Sequence, residues 1–226
     1  MKNISIELKN GESVKGIISE PKVYNDKSRV GVVFAHGAGN DMNHPLIVSV
    51  AEKLAVAGYI TLRFNFLYRE KGKKSPGPEH RLIDAWKCAV DFFKRDETRS
   101  IKTIIAVGKS LGGRIASQAA AAGTINPDGL IFLGYPLHAP GRKDKLKDEH
   151  LYQIKKPLLF FEGTRDPFCD LEKFNGVFEG LLCPKDVTLI EGGNHSFDLP
   201  KADERSPEDV YNQIADKCIE WLAVTV

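Results

Sequence analysis

The chain has 226 residues, a formal net charge of +2 and a hydrophobic content of 42%. This length suits one α/β domain, and we predict a single domain over residues 1–226. The small net charge argues against a nucleic-acid partner, and no apolar run is long enough to span a membrane.

The N-terminus and the cysteines favour a cytoplasmic location. Residues 1–7 alternate like a strand and lack the apolar segment of a signal peptide. The cysteines show no C-x-x-C spacing, which predicts reduced thiols at Cys88, Cys169, Cys183 and Cys218. The histidines show no metal-ligand spacing, so we expect no metal and no cofactor. The sequence leaves the oligomeric state open.

Strand and helix patterns alternate along the chain. Residues 3–9 and 14–19 predict an antiparallel hairpin, because Asn10-Gly11 between them is typical of a tight turn. Further strands are predicted at 30–35, 59–64, 101–107, 130–133, 157–161 and 187–190, and helices at 46–57, 79–94, 113–122 and 207–224. This alternation predicts an α/β fold with a mostly parallel sheet, helices on both faces and the hairpin at its edge.

The segment Gly108-Lys109-Ser110-Leu111-Gly112 reads G-x-S-x-G. It lies between a predicted buried strand and an alanine-rich helix, which is the context of a nucleophile elbow. In such an elbow a sharp turn exposes the serine hydroxyl, and glycines let strand and helix approach closely. A bystander serine in a glycine-rich turn is the alternative. A phosphate-binding loop is excluded, because Thr103 stands where its first glycine belongs.

An acid and a base follow the serine in the order that α/β hydrolases use. Asp166 and His195 each follow a predicted strand on a glycine-containing loop. The carboxyl ends of parallel strands share one edge of a sheet, so these side chains should meet there. We therefore predict a catalytic triad of Ser110, Asp166 and His195, with Asp170 as the second choice of acid.

The segment that begins at His36 predicts an oxyanion hole. His36 precedes the elbow and His138 follows it too early, so neither suits the base. The backbone amide of Leu111, next to the nucleophile, is one expected donor. The loop after strand 30–35 supplies the other, and we choose the amide of Ala38, with Gly39 as the alternative.

Taken together, these motifs resemble the α/β-hydrolase superfamily. The likeness is carried by His36–Gly39, Gly108–Gly112, Gly163–Asp166 and Asn194–Ser196. The small size is similar to the dienelactone-hydrolase-like group, and residues 63–66, 135–138 and 145–151 resemble its subgroup that includes testis-expressed protein 30. The resemblance covers nearly the whole chain and implies an α/β-hydrolase fold and a Ser-His-Asp hydrolase. Ser110 stands where dienelactone hydrolases carry cysteine, which puts a lactone substrate in doubt.

We expect a serine hydrolase of the carboxylesterase or thioesterase kind that acts on a small-molecule ester or thioester through an acyl-enzyme. Residues 135–156 form the only long excursion and predict a small cap, which favours small or peripheral esters. A non-catalytic scaffold that retains the fold, or a serine peptidase on the same machinery, remains possible on the sequence alone.

Basic residues in four segments predict a preference for anionic acyl groups. Each segment is expected to emerge at the carboxyl edge of the sheet, where charges of one sign would attract an anionic substrate. The residues are Arg63, Lys71, Lys73, Lys74, Lys109, Arg142 and Lys143.

Overall fold

The computed structural model describes residues 1–95 and 98–226, in which one sheet of eight strands forms the centre. The strands are β1 (Lys2–Glu7), β2 (Ser13–Ser19), β3 (Val30–Ala35), β4 (Ile60–Phe64), β5 (Thr103–Lys109), β6 (Gly129–Leu133), β7 (Leu158–Gly163) and β8 (Lys185–Ile190). Their spatial order is β1-β2-β4-β3-β5-β6-β7-β8. The β1–β2 hairpin is antiparallel and β2 pairs antiparallel with β4, whereas the remaining pairs are parallel. The predicted α/β-hydrolase fold with an antiparallel hairpin is confirmed.

Helices cover both faces of the sheet. They are α1 (Pro45–Val56), α2 (Leu67–Glu70), α3 (Glu79–Arg95), α4 (Leu111–Ala121), α5 (Leu171–Gly180) and α6 (Pro207–Thr225). One apolar core packs α1 and α6 against the sheet, and the other packs α3, α4 and α5 against the opposite face. Each central strand is buried on both sides, as expected for parallel strands covered by helices.

Two helices were absent from the sequence prediction. The short α2 has only four residues. In α5, Gly176 and Gly180 weaken the helical pattern, yet Phe174 and Val177 are buried against the core. Tertiary packing therefore decides this helix rather than local propensity. The elbow strand also starts and ends two residues later than predicted, at Thr103 and Lys109.

Residues 135–156 contain no α-helix and fold back against the body of the protein. Their one regular element is a turn of 3₁₀-helix at Leu151–Gln153. The hydroxyl of Tyr135, which is almost completely buried, donates a hydrogen bond of 2.8 Å to the carbonyl of Lys147. The description of residues 1–226 as one domain with a small cap stays a prediction.

Among the described residues, no helix combines the length and the apolarity needed to cross a membrane. Cys169, Cys183 and Cys218 are buried and Cys88 is half-buried, and none of the four forms a disulfide. In the same part of the chain, no group of His, Cys, Asp and Glu side chains is arranged to hold a metal ion.

Candidate active site

Ser110 occupies a sharp turn between β5 and α4. Its backbone has φ 50° and ψ −115°, a combination that non-glycine residues rarely adopt. A β-carbon at Gly108 would lie 2.1 Å from the amide nitrogen of Gly113, and one at Gly112 would lie 2.5 Å from the carbonyl oxygen of Ala35. Strand and helix can therefore meet at this turn only because these positions lack side chains.

The structure brings the three predicted triad residues together in one hydrogen-bonded chain. His195 Nε2 lies 2.7 Å from Ser110 Oγ, and His195 Nδ1 lies 2.6 Å from Asp166 Oδ2. The Asp166 side chain is completely buried, whereas 18% of the imidazole is exposed. A carboxylate beside Nδ1 favours the proton on that nitrogen, which leaves Nε2 free to accept the serine proton.

Contacts on both sides hold Asp166 and His195 in place. The other carboxylate oxygen of Asp166 accepts a hydrogen bond of 2.7 Å from the Phe168 amide. The Phe168 ring lies against the imidazole, with 4.3 Å between ring centroids. This aromatic neighbour carried no signal in the sequence, because it becomes adjacent to His195 only when the loops after β7 and β8 meet.

Asp170, the second choice of acid, performs a different task. Its carboxylate caps α5 by accepting a hydrogen bond of 3.1 Å from the Lys173 amide. It also forms an ion pair of 2.5 Å with Lys143, and the Lys143 ammonium lowers the pKa of Asp170. The structure thus brings Asp166, and not Asp170, to His195.

The surroundings of His195 favour its neutral form. Burial lowers the pKa of the imidazole below its ordinary value. The hydrogen bond to Asp166 acts in the opposite direction, and the positive charge of Lys109 adds to the lowering. A neutral imidazole can accept a proton, as a general base must.

The two predicted oxyanion donors lie on segments that flank Ser110. Leu111 is the first residue of α4, so its amide has no acceptor within the helix. A β-carbon at Gly37 would lie 3.4 Å from Ser110 Cβ, which places the loop of Ala38 beside the nucleophile. The Ala38 amide makes no hydrogen bond to the described residues. Ala38 is also exposed, whereas Leu111 is half-buried. The assignment of both amides to an oxyanion hole stays a prediction.

Gly39 stays the alternative second donor. The Tyr68 hydroxyl donates a hydrogen bond of 3.3 Å to the carbonyl of Gly37, two residues earlier on the same loop. Burial raises the pKa of that hydroxyl. The choice of Ala38 over Gly39 therefore stays a prediction.

His36 and His138, which the sequence analysis judged unsuitable as the general base, form hydrogen bonds with backbone groups instead. His36 Nδ1 donates to the Gly37 carbonyl at 2.8 Å, while Nε2 accepts from the Phe66 amide at 3.1 Å. Burial lowers the pKa of His36 to about 4, so this ring is neutral and braces the loop before Ala38. His138 Nε2 accepts a hydrogen bond of 2.9 Å from the amide of Asp170.

Two of the basic residues expected at the substrate edge lie in the interior instead. Arg63 is only 2% exposed and donates a hydrogen bond of 3.0 Å to the Met42 carbonyl. Lys109 is only 3% exposed and donates to the carbonyl of His195. Their long apolar stems pack in the protein, so neither presents its charge on the surface.

The remaining basic residues are exposed, but two of them are paired with acids. Lys71 forms an ion pair with Glu12 on the hairpin, and Lys143 pairs with Asp170. Lys73, Lys74 and Arg142 are also exposed, and within the described part of the chain they form no ion pair with an acid. Four of the seven basic residues that were expected to attract an anionic substrate are therefore buried or paired with an acid.

Gly134, at the end of β6, was not singled out in the sequence and borders the triad. Its φ is +73°, in the left-handed region that favours glycine. A β-carbon here would lie 3.2 Å from the carbonyl oxygen of His195 and 3.3 Å from Lys109 Nζ. Glycine thus lets His195 and Lys109 pack against the end of this strand.

Comparison with a family model assigns the chain to a class of protein. A model described as an alpha/beta hydrolase domain matches residues 28–223. This range covers most of the chain and includes every predicted site residue. The chain therefore belongs to the alpha/beta hydrolase family.

Solved structures share this fold over nearly the whole chain. Dienelactone hydrolase from Anabaena variabilis is 22% identical with a TM-score of 0.77, covering 100% of this chain and 97% of that chain. Est1E from Butyrivibrio proteoclasticus, solved with ferulic acid bound, is 17% identical with a TM-score of 0.80 and 98% coverage of both chains. XC6422 from Xanthomonas campestris, described as a serine hydrolase without a lid, is 19% identical with a TM-score of 0.75, covering 97% and 94% of the respective chains. At these identities the likeness concerns the fold.

A curated relative is considerably longer than this chain. The Putative phosphoribosyl transferase Rv0571c of Mycobacterium tuberculosis is 28% identical over 206 residues, which cover 87% of this chain and 41% of that protein. The chain thus spans less than half the length of this relative.

Proposed function

We propose that this protein is a serine hydrolase that cleaves a small-molecule carboxylic ester or thioester through an acyl-enzyme. The observation that carries the proposal is the hydrogen-bonded chain from Ser110 through His195 to the buried Asp166. An isolated serine hydroxyl is a weak nucleophile, and an oriented base within hydrogen-bond reach activates it.

The first half-reaction forms the acyl-enzyme. Ser110 Oγ attacks the substrate carbonyl carbon while its proton passes to His195 Nε2. The Asp166 carboxylate stabilises the imidazolium that forms and keeps the ring oriented. The amides of Ala38 and Leu111 stabilise the developing oxyanion. His195 then gives its proton to the departing alcohol or thiol as the carbon–oxygen or carbon–sulfur bond breaks.

The second half-reaction releases the acid and restores the enzyme. His195 takes a proton from a water molecule, whose oxygen attacks the acyl carbonyl carbon. The tetrahedral intermediate collapses by breaking the bond to Ser110 Oγ, which regains a proton from His195. No cofactor takes part in either step.

Several features support an ester or thioester rather than a larger substrate that must be enclosed. Residues 135–156 are too few to build a large lid, and they contain no α-helix. Among the structural neighbours, Est1E is known with ferulic acid bound.

The narrower likeness to the subgroup that includes testis-expressed protein 30 is part of this proposal and rests on the three sequence segments given above. Phosphoribosyl transfer is not carried over from the mycobacterial relative. Most of that protein's length lies outside the match.

A panel of acyl esters, acyl thioesters and peptide amides, assayed beside Ser110→Ala, tests the proposal. We expect the native protein to hydrolyse at least one ester or thioester and Ser110→Ala to lose that activity. Preferential amide cleavage would favour the peptidase alternative. If neither enzyme form turned over any substrate, a non-catalytic scaffold would be the better account.

A further inference from the structure

A buried ammonium contacts the loop that carries His195. Lys109 Nζ donates a hydrogen bond of 2.5 Å to the backbone carbonyl of His195. Within residues 1–95 and 98–226, Lys109 forms no ion pair with a carboxylate, and the centroid of the Phe197 ring lies 5.5 Å from Nζ. Removing an ammonium from water is unfavourable, so an apolar side chain of similar length would serve packing alone better.

The ammonium and the imidazole of His195 border the same small space. A methyl group at Gly134 would lie 3.3 Å from Lys109 Nζ and 3.6 Å from His195 Nδ1, and so would touch both. The Asp166 carboxylate lies 2.6 Å from that same nitrogen. His195 is therefore flanked by one negative and one positive group, which act on its proton in opposite directions.

Other titratable groups face Lys109 from the neighbouring segments. Burial lowers the pKa of Lys109 to about 8, while Asp166, Glu162 and Asp198 act against that lowering. Burial, joined by the charge of Lys109, also lowers the pKa of His44 before α1. At neutral pH most of the Lys109 side chains therefore carry a positive charge.

We propose that Lys109 is a positioning residue for His195, whose ammonium fixes the His195 carbonyl and offsets the charge of Asp166 across the imidazole. This inference rests on the proposed function, because Lys109 acts on the reaction through the general base. Without the ammonium, only burial would oppose the stabilisation of the imidazolium by Asp166. His195 would then stay protonated to a higher pH and be unavailable as a base under mildly acidic conditions.

The rate of labelling by a fluorophosphonate probe, followed from about pH 5 to about pH 9, tests this role. The variants are Lys109→Met, which removes the charge at similar length, and Lys109→Arg, which keeps it. Lys102→Met removes an exposed lysine just before β5 and is the matched control.

We expect the acidic limb of the Lys109→Met profile to move upward by about one pH unit, so that labelling there slows about tenfold. Lys109→Arg should retain most of the native profile, and Lys102→Met should superimpose on it. If Lys109→Met slowed labelling uniformly and left the limb in place, Lys109 would have only a packing role.

A direct NMR titration of the His195 imidazole separates this inference from the proposed function. Performed in the Ser110→Ala background, it needs no catalysis, and adding Lys109→Met should raise the imidazole pKa. An unchanged imidazole pKa would overturn the role of Lys109 even if Ser110 proved to be the nucleophile. Conversely, if no probe reacts at Ser110, the proposed function fails while the titration still reports on Lys109.

The unsubstituted protein provides a second measurement in case Lys109→Met does not fold. The His195 resonances should then show a second, smaller step at the pH where the Lys109 ammonium titrates, near its pKa of about 8. Absence of that step, with Lys109 itself observed to titrate, would overturn the inference.

Discussion

Two serine–histidine pairs in this molecule have almost the same geometry but different chemistry. Ser110 Oγ lies 2.7 Å from His195 Nε2, and Ser117 Oγ lies 2.8 Å from His150 Nε2. Both serines belong to the segment around α4. Distance alone would rank the two pairs as equal candidates for an activated nucleophile.

The Ser117 hydroxyl donates its hydrogen bond to a backbone carbonyl and not to the histidine. The Ser117 hydroxyl donates to the Arg114 carbonyl at 2.8 Å, and the Tyr135 hydroxyl donates to the Lys147 carbonyl at 2.8 Å. Each oxygen can therefore only accept from His150, so the proton of that ring belongs on Nε2. His150 then donates to Ser117 and cannot act as its base.

The Ser110 pair has the opposite arrangement. The buried carboxylate of Asp166 holds the proton on Nδ1 of His195, which leaves Nε2 as the acceptor for Ser110. Ser110 is half-buried at the turn before α4, whereas Ser117 is fully buried within α4. The comparison teaches that the partner on the far side of the imidazole decides whether a serine–histidine contact can be catalytic.

The largest difference in activity is expected between removal of the Ser110 hydroxyl and removal of the Ser117 hydroxyl. We expect Ser110→Ala to lower kcat/KM by at least about 10³-fold, because the nucleophile is lost. Ser117→Ala should retain activity within about threefold, since its hydroxyl serves the fold. The measurement is kcat/KM on the best substrate of the ester panel. A comparable loss in both variants would mean that the structural distinction between the pairs has no catalytic meaning.

Replacing Asp166, the carboxylate hydrogen-bonded to His195, should have the next largest effect on activity. Asp166→Asn is expected to lower kcat/KM by about 10² to 10⁴-fold, because an amide no longer holds the required imidazole tautomer. Asp170→Asn should change activity only slightly and cost at most about 1 kcal/mol of stability, since asparagine also caps helices well. Steady-state kinetics and chemical denaturation of both variants check this pair. Greater loss of activity from Asp170→Asn would reassign the acid.

The pH profile should report the lowered pKa of His195. Burial favours the uncharged ring, so kcat/KM should reach half its plateau below the ordinary histidine value of 6.5. Activity is then lost as the pH falls further and Nε2 becomes protonated. A midpoint clearly above that value would show that Asp166 outweighs burial and Lys109 at this site.

The loss of stability expected from removing the Ser117 hydroxyl is the smallest of these predicted effects. Ser117→Ala removes one buried hydrogen bond to a carbonyl and one to His150, and we expect a loss of about 1 to 2 kcal/mol. Urea denaturation followed by tryptophan fluorescence measures it. An equal loss from Ser110→Ala would contradict the view that the elbow serine contributes little to folding.

Local patterns were sufficient to predict much of the site. The G-x-S-x-G turn, and the acid and histidine that follow later strands in the expected order, locate three side chains that the structure brings together. The three side chains meet because the carboxyl ends of parallel strands share one edge of the sheet. The mostly parallel sheet with helices on both faces follows from the same alternation of strands and helices.

Other features depend on which segments meet in three dimensions. Lys109 reads as an exposed lysine beside the nucleophile, but it is buried because the loop of His195 covers it. The proton position on His150 depends on Ser117 and Tyr135, which lie 33 and 15 residues away in the chain. Helix α5 forms through packing of Phe174 and Val177 rather than through its local propensity.

Mapping the adduct of a fluorophosphonate probe tests the central claim most directly. The native protein should gain one covalent adduct, and peptide mass spectrometry should place it on Ser110. Ser110→Ala should remain unlabelled while retaining its fold, as judged by circular dichroism. An adduct on Ser117 or any other residue, or equal labelling of Ser110→Ala, would contradict the assignment of Ser110 as the nucleophile.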